Sequence, residues 1–471
     1  MSESRRSAGA EGTPGRRSAA GRRGLHPTAI IAAALVLLTL GALLLVRPDE
    51  AADRSQAAAE VPLRSAALTC PSALPGAGTA YLSTGVDPGD SEVSVFVDQE
   101  RDRLDVAHHE ITAVSDAAGP VVLTAQGDVA PGLLGARFGD GQMAAGECGV
   151  PQPQTWFTGV GAGATHASVL ELVNPDGGSA VADITLYDAR GPIDVPELRG
   201  VTVPGREGQQ LDLAEIVPQR GELTAHVVVA RGRLGVSVLD RIPAIGAQPL
   251  TEDFLGGQAE PMTEALLLGL PTGNGRHDLV VTNPGENEAR VEVRVVTADS
   301  SFLPEGLEEL RVPPGATKSV SLSTVLSQAI SDGALGLSVT AGEPVTATTR
   351  SVVGGDISHA VPVIPSDKAM TVLVPQGQAA VVLGDASAVG VATVDAWDAD
   401  GEPLEQQKVE LQPGQGGVVE LPEGAAIVQV TPSRTSLHAV ARVTGPGGTT
   451  VLPFRSRVTS ALDPAVRPGI P

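Results

Sequence analysis

The chain has 471 residues, 42% of them hydrophobic, and a formal charge of −23, with 56 Gly and 37 Pro but only two Trp, two Tyr and six Phe. The length allows several domains and the apolar fraction supplies a core, so a disordered acidic tail is excluded. Few rings and net negative charge disfavour nucleic acid, which needs stacking platforms and cations, and the few rings also weaken a glycan-binding reading.

The amino-terminal 47 residues carry seven Arg (5, 6, 16, 17, 22, 23 and 47) against Glu3 and Glu11, a net +5, which leaves −28 for the remainder. Residues 1–28 read as a disordered basic cytoplasmic segment. Residues 29–46 (AIIAAALVLLTLGALLLV, bounded by Ala29 and Val46) are uncharged. At 1.5 Å per residue they span about 27 Å, close to a bilayer's hydrocarbon thickness. The Arg pairs before them predict a cytoplasmic amino terminus, so the chain reads as a single-pass cell-membrane protein with an extracytoplasmic remainder. The competing reading is a signal peptide cut near Ala51–Ala52 or Ala57–Ala59, giving a secreted protein, although cleaved apolar regions are usually shorter. Residues 47–65 are a linker.

Cys70 and Cys148 are the two Cys of the chain. In an oxidising compartment such a pair is expected to form a disulfide, with two buried thiols as the alternative. They bracket residues 66–150, which read as a divergent β module. Self-comparison finds repeats beyond it. Asn174–Pro175 matches Asn283–Pro284, Pro204–Gly205 matches Pro314–Gly315, and Arg241 matches Arg350, at nearly equal offsets. Repeat 1 is placed at 151–245, repeat 2 at 260–355, and a third copy at 366–456, with Pro413–Gly414 and Arg442 at the landmark places and a tail at 457–471. Period-two runs such as VLELV, VADITLY and VEVRVV predict half-buried strands, and Asn-Pro-Asp-Gly and Pro-Gly-Glu-Asn predict turns. About seven short strands per copy predict an all-β fold of tandem immunoglobulin-like sandwiches; a β-propeller with two four-stranded blades per copy is the alternative. A short helix is expected at 323–330.

The order Cys148, Pro151, Trp156–Phe157, then Leu-x-Leu-x-Asn-Pro, Val-Pro-Pro-Gly and a strand ending in Arg resembles the actinobacterial membrane-anchored or secreted family catalogued as domain of unknown function 5719. The resemblance covers nearly all of the chain beyond the apolar segment. It implies an extracytoplasmic β-rich protein linked to envelope glycan assembly, and it supplies no activity, cofactor or catalytic residue.

Candidate sites divide between chemistry and architecture. Asp395, Asp398 and Asp400 before Gly401 suggest a calcium loop, but the matching stretch at Asp188–Gly191 predicts a hairpin turn, and the downstream Glu of a full loop is missing. Gly159, Gly161 and Gly163 precede a strand where a dinucleotide site needs a helix, so they read as loop. His108-His109-Glu110 lacks the second His of a zinc-protease helix and reads as a surface strand. Arg241, Arg350 and Arg442 recur near the copy ends and read as structural ties between strands or modules. Trp156 and Trp397 are the candidate partner contacts, with Tyr187 beside them, although Trp156 reads chiefly as the cap of a core or module junction. No catalytic, cofactor or metal set is assigned. The chain is expected to be a non-catalytic envelope accessory, scaffold or binding protein, its partner an envelope or membrane protein. An envelope-glycan binder and a secreted hydrolase are the alternatives.

Overall fold

The computed structural model describes residues 27–45, 59–244, 250–456 and 459–463. Nearly all of the expected cytoplasmic segment, most of the linker 47–65 and most of the tail lie outside these residues. The chain divides into a terminal unit, Met1–Ala59 with Leu462–Pro471, and a second unit, Glu60–Ala461.

In the terminal unit a helix spans Pro27–Leu45, 19 residues without a charge. It is apolar all round, and Leu37 and Leu38 are about 70% exposed, at 70% and 72%. Among the residues whose side chains are described, no helix is long and apolar enough to cross a membrane. The backbone helix itself continues without a charge to Leu45.

In the second unit the alternation of the sequence becomes burial. The strand Ala180–Asp188 buries Ala180, Ala182, Ile184 and Leu186 and turns Asp183 outward. Four modules follow one another, each with eight strand positions. In the amino-terminal module these are Ser65–Cys70, Ala80–Thr84, Val93–Val97, Glu100–Leu104, Thr112–Val114, Val121–Gln126, Leu133–Phe138 and Ala145–Glu147. In repeat 1 they are Gln154–Ala162, Ala167–Val173, Ala180–Asp188, Val201–Val203, Gly208–Asp212, Arg220–Arg231, Gly235–Ile242 and Thr251–Leu255. Repeat 2 has Met262–Leu268, Gly275–Thr282, Ala289–Val296, Leu310–Val312 and Thr317–Ser321; then Gly336–Val353, one long strand filling positions six and seven; then Asp356–Ala360. Repeat 3 has Met370–Leu373, Gln378–Gly384, Gly390–Trp397, Gln407–Leu411, Gly417–Glu420, Ile427–Ser433, His438–Gly445 and Gly448–Pro453. The eighth strands of repeats 1 and 2 therefore fall beyond the expected ends at 245 and 355. The short helix is present at Ser323–Ser331.

Strand order is the same in every module. Positions four, three, six and one form one antiparallel sheet, and five, two, seven and eight form the other. Residues from both sheets share one apolar core per module. This order corrects the immunoglobulin expectation, because there the first two strands lie side by side in one sheet. Here a tight corner after the first strand, such as residues 163–166, passes the chain to the opposite sheet, leaving only Ala162 paired with Ala167. A second signature is shared by all four modules. After the eighth strand the chain crosses back to its own first strand, pairing Gly149 with Thr69, Gln258 with Trp156, Pro362 with Leu267, and Ser456 with Met370. The region 66–150, whose landmarks are unreadable, is thereby a full copy.

The modules close a cycle. In each, the outer face of the first sheet packs on the second sheet of the next. Thr69 of the amino-terminal module lies against Gly235 of repeat 1. Thr158 and Thr224 of repeat 1 meet Thr346 and Thr282 of repeat 2 at 2.6 and 2.5 Å. Leu266 and Leu268 of repeat 2 pack on Val382 and Val440 of repeat 3. Leu373 and Ile427 of repeat 3 pack on Tyr81 and Ala136 of the amino-terminal module. A head-to-tail contact that closes gives a ring, and this one closes after four steps within one chain. The eighth strands meet in the same cyclic order at the centre. Packing sheets face to face around a centre is the propeller principle, but the chain here alternates between paired sheets.

Candidate functional site

The densest polar chemistry lies at the junction of repeats 1 and 2. Asp240, on the seventh strand of repeat 1, is fully buried. Its Oδ1 accepts from Ser168 Oγ at 2.5 Å and lies 2.7 Å from His166 Nε2. Its Oδ2 lies 2.8 Å from Nε2 of His359, on the eighth strand of repeat 2. Arg350 of repeat 2, also buried, donates both terminal nitrogens to Glu222 of repeat 1, at 2.8 and 2.6 Å. That bidentate pair is the strong, geometrically selective form of a charged contact. Arg350 Nη1 also lies 2.9 Å from His166 Nδ1, linking the two modules a second time.

The electrostatics follow from this enclosure. Burial works against a charge on His166, but Asp240 and Glu222 outweigh it and raise its pKa to about 9, with Arg350 pulling the other way. Burial also opposes ionisation of Asp240, yet His166 and His359 hold it well below the usual carboxylate range. Glu222 is likewise brought down to about 2 against its burial, by His166 and Arg350. Ser168 is fully buried, gives its hydroxyl proton to Asp240 and accepts from the Gly161 amide at 2.8 Å. A Ser nucleophile needs its hydrogen bond to a base such as His; this constellation instead ties two modules.

Other sequence candidates are spread around the ring. Cys70 and Cys148 form the expected disulfide, with an S–S distance of 2.03 Å, pinning the cross-back to the first strand. Arg350 and Arg442 occupy equivalent register: Thr349 stands opposite the core residue Leu279, Ala441 opposite Val381, and each Arg comes next. Val238 stands opposite Leu170, so the equivalent residue of repeat 1 is Leu239. Arg241 is two places further on, which corrects its match to Arg350, and it pairs with Asp212 inside its own module at 2.7 Å. Arg442 reaches back to the Leu270 carbonyl of repeat 2 at 3.2 Å. The Asn-Pro landmark is also architectural. Asn174 Nδ2 donates to the carbonyls of Gly178 and Val203, and Asn283 Nδ2 to those of Asn287 and Val312, tying the same turn to the same strand.

Trp156 is 4% exposed, stacked on His226 at 3.7 Å with Tyr187 nearby, so the partner contact proposed for it is corrected to an internal one. Trp397 is half-buried and lies 3.7 Å from the His109 ring, on the seam where repeat 3 meets the amino-terminal module. His108-His109-Glu110 accordingly lies in a turn, with His109 buried and at positive φ, and not on a surface strand. Asp398 Oδ1 accepts the amides of Asp400 and Glu402 at 3.0 and 2.9 Å, the turn that the repeat comparison predicts. No group of three or more His, Cys, Asp or Glu able to hold a metal occurs among the described residues. Gly159 and Gly161 sit within the first strand of repeat 1 instead of a loop; a Cβ at Gly161 would fall 2.5 Å from the His166 ring.

A family model described as a family of unknown function (DUF5719) matches residues 110–422. The chain belongs to this family. No curated protein matches it. The DUF5719 match begins inside the amino-terminal module and ends inside repeat 3, so it takes in the whole charged junction. His166, Asp240, His359 and Glu222 escaped the sequence reading because each stands alone in its own strand or turn. The one available signal was an Asp inside an otherwise apolar run, as in VSVLDRI.

Proposed function

We propose that this DUF5719 protein is a non-catalytic, membrane-anchored protein of the cell envelope, in which tandem β-sandwich modules form an extracytoplasmic scaffold or binding ring. The observation that carries this reading is the uncharged helix Pro27–Leu45, whose aliphatic side chains are exposed. Such a helix satisfies its backbone internally and offers water no polar face, which suits hydrocarbon. The preceding Arg pairs favour a cytoplasmic start, and a disulfide suits the far side of the membrane. The charged and nucleophilic groups of the repeat 1–repeat 2 junction are used to join modules, which supports a scaffold over a hydrolase. With Trp156 stacked inside, a glycan platform has less support, and an envelope or membrane protein is the preferred partner, with a link to envelope glycan assembly.

Carbonate extraction and protease accessibility of intact expressing cells test the anchor. The expected result is retention in the membrane with residues beyond 59 cut only from outside. Release into the medium with a new amino terminus, or complete protection from external protease, overturns it. In-cell crosslinking with mass spectrometry tests the scaffold, and recovery of no envelope or membrane protein counts against it.

A further inference from the structure

We propose that the loops at one end of repeat 3 form a binding site for a small zwitterion with an aliphatic side chain, an amino acid or dipeptide, held by Arg434 and Asp367. In each repeat the connection between strands two and three is tied to the connection between strands six and seven. In repeat 1 long side chains span the gap, with Arg233 bonded twice to Asp176 at 3.0 and 2.6 Å. In repeat 2 Asn287 Nδ2 donates to Glu343 Oε1 at 3.2 Å. In repeat 3 two serines make the tie instead: the Ser436 amide and hydroxyl each donate to Ser387 Oγ at 2.9 Å. Around these short side chains lies an open cavity of about 620 Å³, lined by Pro365, Asp367, Ser387, Arg434, Thr435 and Ser436.

The cavity has the size of a small-molecule site, roughly 300–1,000 Å³, with a few polar groups converging on it. Its walls are fixed to one another. Ser387 N donates to the Ser436 carbonyl at 2.9 Å, Ala388 N donates to Thr435 Oγ1 at 3.1 Å, and Ser366 and Leu437 exchange backbone bonds at 3.0 and 3.1 Å. The charges on those walls are uncommitted: among the described residues, neither the Arg434 nor the Asp367 side chain has an ion-pair partner. Ser387 supplies a further donor. Its oxygen already accepts twice from Ser436, and its proton has only a long contact, 3.5 Å, with Thr435 Oγ1. A hydroxyl has one proton to give, and this one is left for a better acceptor. Arg434 and Ser387 together suit a carboxylate, and Asp367 suits an ammonium. A phosphate would meet the charge of Asp367 with one guanidinium in support. Ile364 and Val389, 65% and 56% exposed, stand one residue from Pro365 and two from Ser387, and offer an apolar flank to an aliphatic side chain.

Calorimetric titration of the full chain in detergent micelles with L-leucine and leucyl-leucine tests the site. Saturable binding at millimolar concentration or below is expected. Leucinamide, which lacks the carboxylate, and isocaproate, which lacks the amine, should each bind about tenfold or more weakly, the worth of one charge-assisted contact. Arg434 stands at φ +65°, a conformation that Asn tolerates well, so R434N removes the cation without straining the turn. R434N and D367N should each lose binding by about the same factor while unfolding as the wild type does. R434K should restore part of the loss. Absence of binding by both probes, equal binding of the two truncated analogues, tighter binding of inorganic phosphate, or undiminished binding by R434N and D367N overturns the proposal.

Discussion

Two junctions of the ring use the same packing and fill it with opposite chemistry. Between repeats 2 and 3 the contact is a layer of Leu266, Leu268, Val296, Leu335, Val363, Val382 and Val440, with Arg442 bonded to one carbonyl. Between repeats 1 and 2 the same sheets meet through Thr hydroxyl pairs and the buried Asp240, His166, His359 and Arg350, with the half-buried Glu222. The fold thus dictates which faces meet and leaves their chemistry free. An apolar layer accepts any apolar face of similar shape, whereas a buried ionic set leaves charges unpaired against the wrong neighbour. The polar junction thereby serves to fix which module docks on repeat 1, at little gain in stability over an apolar layer.

The contrast is broken most directly at Asp240. Asp240→Ala leaves His166, His359 and Ser168 buried without their shared carboxylate and should cost about 3–5 kcal/mol, the range for removing one partner of a buried ionic set. Leu268→Ala, in the apolar junction, should cost about 3 kcal/mol through lost burial and the cavity left behind. Denaturant unfolding followed by exchange in junction peptides measures both. If Asp240→Ala costs less than Leu268→Ala, the ionic set is not what holds repeat 1 to repeat 2.

The repeats, their strands and the disulfide were legible because they rest on local pattern: period two, turn residues and a Cys pair. The junctions were not, because a ring contact unites residues as far apart as Asp240 and His359, and no local pattern records which outward faces meet. Trp156 shows the difficulty well. A Trp at a module start reads as either a partner contact or a junction cap, and only the structure shows it stacked on its cross-strand neighbour His226, with Tyr187 of the same sheet nearby. Arg241 shows another limit, since equal spacing in sequence concealed a two-residue difference in strand register from Arg350.

pH separates the two junctions by a smaller effect. Because His166 is raised to about 9, its contribution is complete below its unfolded value near 6.5 and is lost as pH rises through 9. Asp240 and Glu222 are depressed, so their contributions are present above about pH 4 and are lost as pH falls through their folded values. The charged junction is therefore firmest between about pH 4.5 and 6.5. Raising pH from 6.5 to 10 should weaken it by on the order of 3 kcal/mol. Exchange in peptides around His166 and Glu222 should accelerate over that range relative to those around Leu268 and Val382. Equal acceleration at both junctions would rule out His166 as the cause.

The smallest effect sharpens what burial does for an ion pair. Arg233 is bound to Asp176 in a two-pronged contact, at 3.0 and 2.6 Å, much as Arg350 is bound to Glu222. The two side chains are 56% and 39% exposed, however, whereas Arg350 is 3% exposed. Water solvates either partner of the outer pair once the other is removed, so Arg233→Ala should change stability by less than about 1 kcal/mol. Arg350→Ala strands Glu222 against the junction and should approach the Asp240→Ala cost. Denaturation of the two alanine variants side by side, at low and high salt, measures the difference. Equal losses would mean that geometry, and not enclosure, sets the strength of these arginine pairs.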